Sequence, residues 1–233
     1  MGCSSLYALR MHQPIEPPSV YQLRIVLREI SPLISRRLLV RSDTTLAHLH
    51  TMLQIAFDWS DEHLHTFHVH GQDYGSNSAD TRHVRLHTLR LRRGERFQYV
   101  YDYGAHWQCD MRLEAVLPRD LTRFYPVCIG AKRAAPPEEC GGAWAYMARL
   151  DQHHYHPPID AMLVAADAVR ALLDADPQTS VREAVRDAVG GLDALQEAVD
   201  CLEAYHQFQP AHVDRRAINA HLRAWPWQKG EAP

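Results

Sequence analysis

The side chains of this chain that could do chemistry gather between His63 and Cys140. His63, His65, His68 and His70 stand close together, and on a strand His63 and His65 share one face while His68 and His70 share the other. Histidines two apart can ligate zinc where a third and fourth ligand converge on them. Asp102, Cys109, Cys128, Cys140 and the group His153, His154 and His156 are the candidate extra ligands. None stands at a recognised zinc spacing, so no metal and no cofactor is predicted, and neutral, hydrogen-bonded or solvated histidines are the expectation. Asp102, Asp110 and Glu114 could supply paired carboxylates for acid–base work, with Asp110 and Glu114 on one strand face. Asp102 lies beside a turn, where accepting backbone hydrogen bonds is the plainer role. Cys140 precedes a helix start, which can activate a thiol, but the adjacent Glu138 and Glu139 disfavour its thiolate. The same glutamates would repel phosphate from the Pro136–Gly142 loop, which reads as a rigid plug or a cation-binding rim.

These residues need a scaffold, and the chain spells one out. Val20–Ile30 alternates as a strand, Ser31-Pro32 turns the chain, and Ile34–Val40 returns. Asp43, Thr44 or Thr45 caps a helix whose apolar face is Leu46, Leu49, Leu53, Ala56 and Phe57. The stretch from His63 to His70 is strand-like, and residues 71–95 form a polar excursion with a short strand near Val84–Leu91. Phe97, Tyr99, Tyr101 and Tyr103 share one strand face; Trp107, Cys109, Met111 and Leu113 share a face of the next, across a turn at residues 103–106. Helices follow at Ala143–Leu150, Ala161–Leu173, Val181–Val189 with a Ser180/Glu183 capping box, Leu192–Phe208 and Val213–Trp225. The heptad-spaced Val181, Val185, Ala188, Leu192, Leu195, Val199 and Leu202 are broken by Gly190-Gly191, which predicts two core-facing helices rather than one coiled coil. The fold class is α+β. An N-terminal antiparallel β-rich half with one packed helix (19–118) joins a mainly helical half (119–225), between tails at 1–18 and 226–233.

Composition narrows the classes. The chain has 233 residues, 46% hydrophobic and 23% charged, as in ordinary globular proteins with a core that needs no disulfides. Its five cysteines are scattered and odd in number, the pattern of reduced thiols in a cytoplasm. No apolar run reaches the ~20 residues that span a bilayer, and no signal-peptide pattern opens the chain. The formal charge of −3 gives no global basic field that would argue for nucleic acid. The first 100 residues nonetheless carry 12 Arg against 9 acids.

An ordered set of short motifs runs through Tyr21–Ile25, Ser31–Ile34 with Arg36-Arg37, Thr45–His50, His63–Phe67, Tyr99–Gly104, Trp107, Leu113-Glu114, Tyr125-Pro126, Gly130, Pro136–Glu138, Cys140–Gly142 and Asp214–Asn219. Together these motifs resemble the plasmid pRiA4b Orf-three-like family, also described as passenger TnpR-like proteins of a mobile insertion element. Ser35, Ala105, Cys109 and Ala135 stand where the family usually has Trp, Asp, His and Cys, so if its members hold a metal with those Asp, His and Cys positions, this chain has lost or exchanged three of the ligands. The resemblance implies a compact α+β fold and an association with mobile DNA, and no established activity. The role predicted is a non-catalytic accessory or interaction domain, with a protein or nucleic-acid partner and no membrane. Its recognition surface combines His63, His65, Tyr101, Asp102, Trp107 and Glu138. The alternative is a metal-dependent hydrolase or nuclease using His63, His65 and Asp102. In the first reading Tyr101 and Trp107 knit the sheet to the helical half, while His65 and Glu138 rim an exposed surface and tolerate replacement.

Overall fold

In the computed structural model, which describes residues 19–176 and 180–227, the described part opens with an antiparallel pair, β1 (Val20–Leu27) and β2 (Ser35–Arg41). Helix α1 (Leu46–Phe57) follows, with Thr45 the cap: its Oγ1 accepts from the backbone N–H of His48. Then come β3 (His65–Val69), β4 (Gln72–Gly75), β5 (Arg96–Tyr101), β6 (Trp107–Leu117) and β7 (Val127–Lys132). All seven strands join one antiparallel sheet, ordered β4-β3-β5-β6-β1-β2-β7. Among the described residues five helices follow: α2 (Gly142–Tyr155), α3 (Ile159–Asp174), α4 (Val181–Val189), α5 (Leu192–Gln207) and α6 (Arg215–Ala224). The chain is thus α+β, and among the described residues no helix is long and apolar enough to cross a membrane.

Alternation decides which face of the sheet is core. Leu23, Ile25, Leu38, Val40, Tyr99, Tyr101, Trp107, Cys109, Met111 and Leu113 point to one side, where Leu49, Leu53 and Phe57 of α1 meet them. Buried among them, Arg36 is held by carbonyls: Nε donates to Ala56 at 2.7 Å, and one terminal nitrogen donates to Ser35, Lys132 and Arg133 at 3.0, 3.2 and 2.9 Å. Its guanidinium lies 5.0 Å over the Phe57 ring. It thereby ties the last turn of α1 to the end of β7, satisfying carbonyls that the helix leaves open. Burial lowers the Arg36 pKa to about 10.

Several elements differ from the sequence reading. Val84–Leu91 holds a single 3₁₀ turn, Leu86–Leu89, because Leu86 and Leu89 both drop into the core three residues apart. The strand expected from His63 begins at His65, so His63 does not share a strand face with it. Strand β5 stops at Tyr101; Asp102 takes a φ of 54°, and Tyr103 is turned out to solvent. Strand β7 sits in the half read as mainly helical. Asn219 of α6 holds this edge strand by accepting from the Cys128 N–H at 2.8 Å and donating to its carbonyl at 2.9 Å. Ser180 precedes α4 without a side-chain capping bond. Helices α4 and α5 pack on α3 instead of on the main core, and each of the three buries one residue: Ala168, Val185 and Ala198. The expected tail 1–18 lies outside the described residues, as does 228–233; Trp227 packs against the core.

Candidate functional site

The loop between β7 and α2 lies across the end of the sheet, and Glu138 fastens it there. One carboxylate oxygen accepts from the Tyr101 hydroxyl; the other accepts from the Ser60 N–H at 2.6 Å and its hydroxyl at 2.8 Å. The Trp107 indole donates to the Glu138 carbonyl at 3.4 Å. Beneath the loop, Trp59 stacks on Phe57 at 4.9 Å, on Tyr101 at 5.1 Å and on Trp107 at 6.1 Å. The loop closes on Gly142, whose φ of 88° favours glycine and where an added Cβ would meet the Ala105 carbonyl at 2.5 Å. Burial alone would raise the Glu138 pKa; the hydrogen bonds from Tyr101 and Ser60 outweigh it and hold the carboxyl below its ordinary value.

His63 stands at the rim of this junction. Its Nε2 lies 3.2 Å from Glu139 and 3.7 Å from Glu138, and its Nδ1 lies 3.9 Å from Asp102. The hydrogen bond with Glu139 raises its pKa against the opposing effect of desolvation, and the nearby Asp102 and Glu138 add to the rise. Asp102 also accepts from the Gly104 N–H at 2.9 Å, the turn role expected of it. Five of the six candidate residues therefore meet, but not as one open surface. Tyr101 and Trp107 are wholly buried, and both oxygens of Glu138 are engaged.

The sixth, His65, is turned the other way. Its ring stacks on His50 at 3.6 Å, and its Nε2 is enclosed without a hydrogen-bond partner among the described residues. Burial, with a contribution from His50, pushes its pKa down to about 4, against the pull of Asp61. Around it runs a polar chain the sequence reading missed. Gln54 donates to the Tyr99 hydroxyl at 2.8 Å, that hydroxyl meets His50 Nδ1 at 2.7 Å, and His50 Nε2 meets Asp61 at 2.5 Å. His50 and Gln54 are four apart on the buried side of α1, so a polar i, i+4 pair inside an apolar face was the available signal.

Among the described residues no group of three His, Cys, Asp or Glu is disposed to hold a metal ion. Burial raises the pKa values of Cys109, Cys128 and Cys140, so these thiols stay protonated at neutral pH.

The solvent face of the sheet carries a different feature. Register pairs Arg96 with Arg112, Arg112 with Arg24, and Arg24 with Arg37, placing four arginines in one row across β5, β6, β1 and β2. With strands about 4.8 Å apart, the row is roughly 14 Å wide. Arg37 is neutralised by Glu114, at 2.6 and 2.9 Å, and that contact holds the Glu114 pKa at about 2. The side chains of Arg24, Arg96 and Arg112 make no ion pair or hydrogen bond among the described residues, and Arg24 lies within the field of the Glu114 charge. Like charges placed directly opposite destabilise a sheet, so the row calls for a counter-charge.

A family model described as "Plasmid pRiA4b ORF-3-like protein" matches residues 19–168, and the chain belongs to that family. It is 31% identical over 136 residues to "Uncharacterized protein y4hQ" of Sinorhizobium fredii (strain NBRC 101917 / NGR234), a match covering 55% of this chain and 70% of the relative. A solved structure, a protein of unknown function called MM3350 from Methanosarcina mazei Go1, superposes with a TM-score of 0.57 at 28% identity. That match covers 85% of this chain and 97% of the archaeal one.

Proposed function

We propose that this plasmid pRiA4b ORF-3-like protein is a non-catalytic accessory domain of mobile DNA elements, placed in the cytoplasm, that binds nucleic acid on the open face of its sheet. The observation carrying this reading is the row Arg96–Arg112–Arg24–Arg37, three of whose side chains have no ion pair or hydrogen bond among the described residues. Guanidinium groups offer phosphate a paired donor geometry, and binding a polyanion releases its condensed counterions. Gln22, Gln98 and Gln108 lie on the same face and add neutral hydrogen-bonding groups beside the charges. The junction around Glu138 then acts as the clamp that keeps the sheet and its loop rigid, and His63 with its carboxylates is a solvated rim. The hydrolase or nuclease alternative lacks comparable support, because His65 stacks inward on His50 while His63 and Asp102 sit at the loop.

Fluorescence anisotropy with labelled single-stranded and duplex DNA over a salt series tests the reading. Binding should weaken steeply with salt, and Arg96→Ser/Arg112→Ser should flatten the log–log slope by roughly 1.4–1.8 for two lost phosphate contacts. Unchanged affinity and slope in that double variant, or no binding by the parent at low salt, would remove the row from the function.

A further inference from the structure

A second basic feature lies past the end of β2. Arg41 is on the same strand face as Arg37, two alternations along, and there the surface opens into a cavity of about 730 Å³. Its walls are the start of α1, the connection between β6 and β7, and the chain leaving α6. Among the described residues, four arginines line it, Arg41, Arg85, Arg119 and Arg123, together with one acid, Asp43. That acid is already engaged: its carboxylate pairs with Arg41, and its carbonyl accepts from Arg85 at 2.8 Å. Arg119 and Arg123 have no ion pair or hydrogen bond from their side chains among the described residues, and the Arg119 Nε is shut away from both water and acceptors. Arg123 lies within the field of Asp120, whose carboxylate accepts from Thr122. A shielded guanidinium nitrogen without an acceptor is a group for which an anion would be the natural partner.

The same cavity offers aromatic faces. Phe124 is 42% exposed and Trp225 is 47% exposed, high values for such large rings. Trp225 stands 6.3 Å from Trp227, tilted by 52°. Trp227 is itself fixed: its indole donates to the Leu222 carbonyl at 2.7 Å, and it meets the His48 ring edge-on at 6.0 Å. One ring is anchored, and beside it another is left open. Arginines that hold phosphate next to rings on which a base can stack are how single strands are gripped, and the cavity volume falls in the range of about 300–1,000 Å³ usual for small-ligand sites.

We infer that this cavity is a subsite for a nucleobase together with its phosphate, the base stacking on Trp225 and Phe124 and the phosphate held by Arg119 and Arg123. The ligand is either a nucleotide unit of a strand lying along the arginine row or a free mononucleotide. The first case rests on the nucleic-acid reading above; the second does not.

Isothermal titration with a twelve-residue oligothymidylate, with AMP and with inorganic phosphate separates these outcomes. The proteins are the parent, Arg119→Gln/Arg123→Gln and Trp225→Leu, each checked by circular dichroism and melting temperature. Both variants are expected to bind the oligonucleotide about ten-fold more weakly, within the span of one lost stack. Arg96→Ser/Arg112→Ser should weaken the oligonucleotide but leave AMP unchanged. Binding of AMP with no binding of the oligonucleotide supports the cavity and ends the nucleic-acid reading. Oligonucleotide binding weakened by the row variant but untouched by both cavity variants overturns the cavity and leaves the row. Phosphate binding as tightly as AMP, with Trp225→Leu silent, overturns the base-stacking assignment, and no binding of any probe overturns both proposals.

Discussion

Lowering the pH should destabilise this protein through His65 in particular. Folded, the ring is neutral, because burial and the neighbouring His50 push its pKa down to about 4. Unfolded, it returns to about 6.5. The unfolded chain therefore holds the extra proton between these values, so stability is full above pH 6.5 and falls as the pH drops toward 4. At ~1.36 kcal/mol per pKa unit the loss is on the order of 3 kcal/mol, a large share of the ~5–15 kcal/mol that holds a domain together. Urea unfolding of the parent and of His65→Phe, from pH 7.5 to pH 4, isolates this contribution. Phenylalanine keeps a flat ring against His50, removes the titration and removes the enclosed Nε2. His63 has the opposite sign, since its raised pKa favours the fold at low pH and that contribution fades as the pH rises, but it is common to both proteins and cancels in the difference. The parent should lose stability faster than the variant below pH 6.5, and the gap should level off near pH 4. Parallel curves would mean that the His65 ring is solvated when folded, and the reasoning would fail.

Trp107→Ala should cost about 3–5 kcal/mol, as for other large buried aromatics, because the ring is fully enclosed against Trp59; a thermal melt reads it at roughly 2–4 °C per kcal/mol. Glu138→Ala, expected from the sequence to be tolerated, should instead lose ~1–3 kcal/mol by freeing the hydroxyls of Tyr101 and Ser60, which chemical denaturation would register. Arg36→Met should cost ~3 kcal/mol or more by leaving carbonyls of α1 and β7 unpaired, and Arg36→Lys should recover only part of it, since an ammonium lacks the fork. Equal stability of the methionine and arginine proteins in urea would show that water reaches those carbonyls.

Local patterns in the sequence determined much of the scaffold. The apolar spacing of Leu46, Leu49, Leu53 and Phe57 makes α1 wherever it packs, and the alternation of Phe97, Tyr99 and Tyr101 against Trp107, Cys109 and Met111 makes a hairpin with one buried face. These signals lie within a few residues of one another, so the chain carries them unaided. Strand β7 was hidden because Val127–Lys132 is short, contains Gly130 and has little alternation, and its strand character comes from β2 on one side and Asn219 on the other. The inward turn of His65 needed His50, fifteen positions earlier, to arrive beneath it. The arginine row is the clearest case. Arg24, Arg37, Arg96 and Arg112 stand at no common period, and each alone is an ordinary solvent-facing residue of its strand. They align only because the register of three strand pairs, fixed by burying the opposite face, carries their side chains to the same level. A shift of one residue in any pairing would break the row, so its charge belongs to the tertiary structure and not to any segment of the sequence.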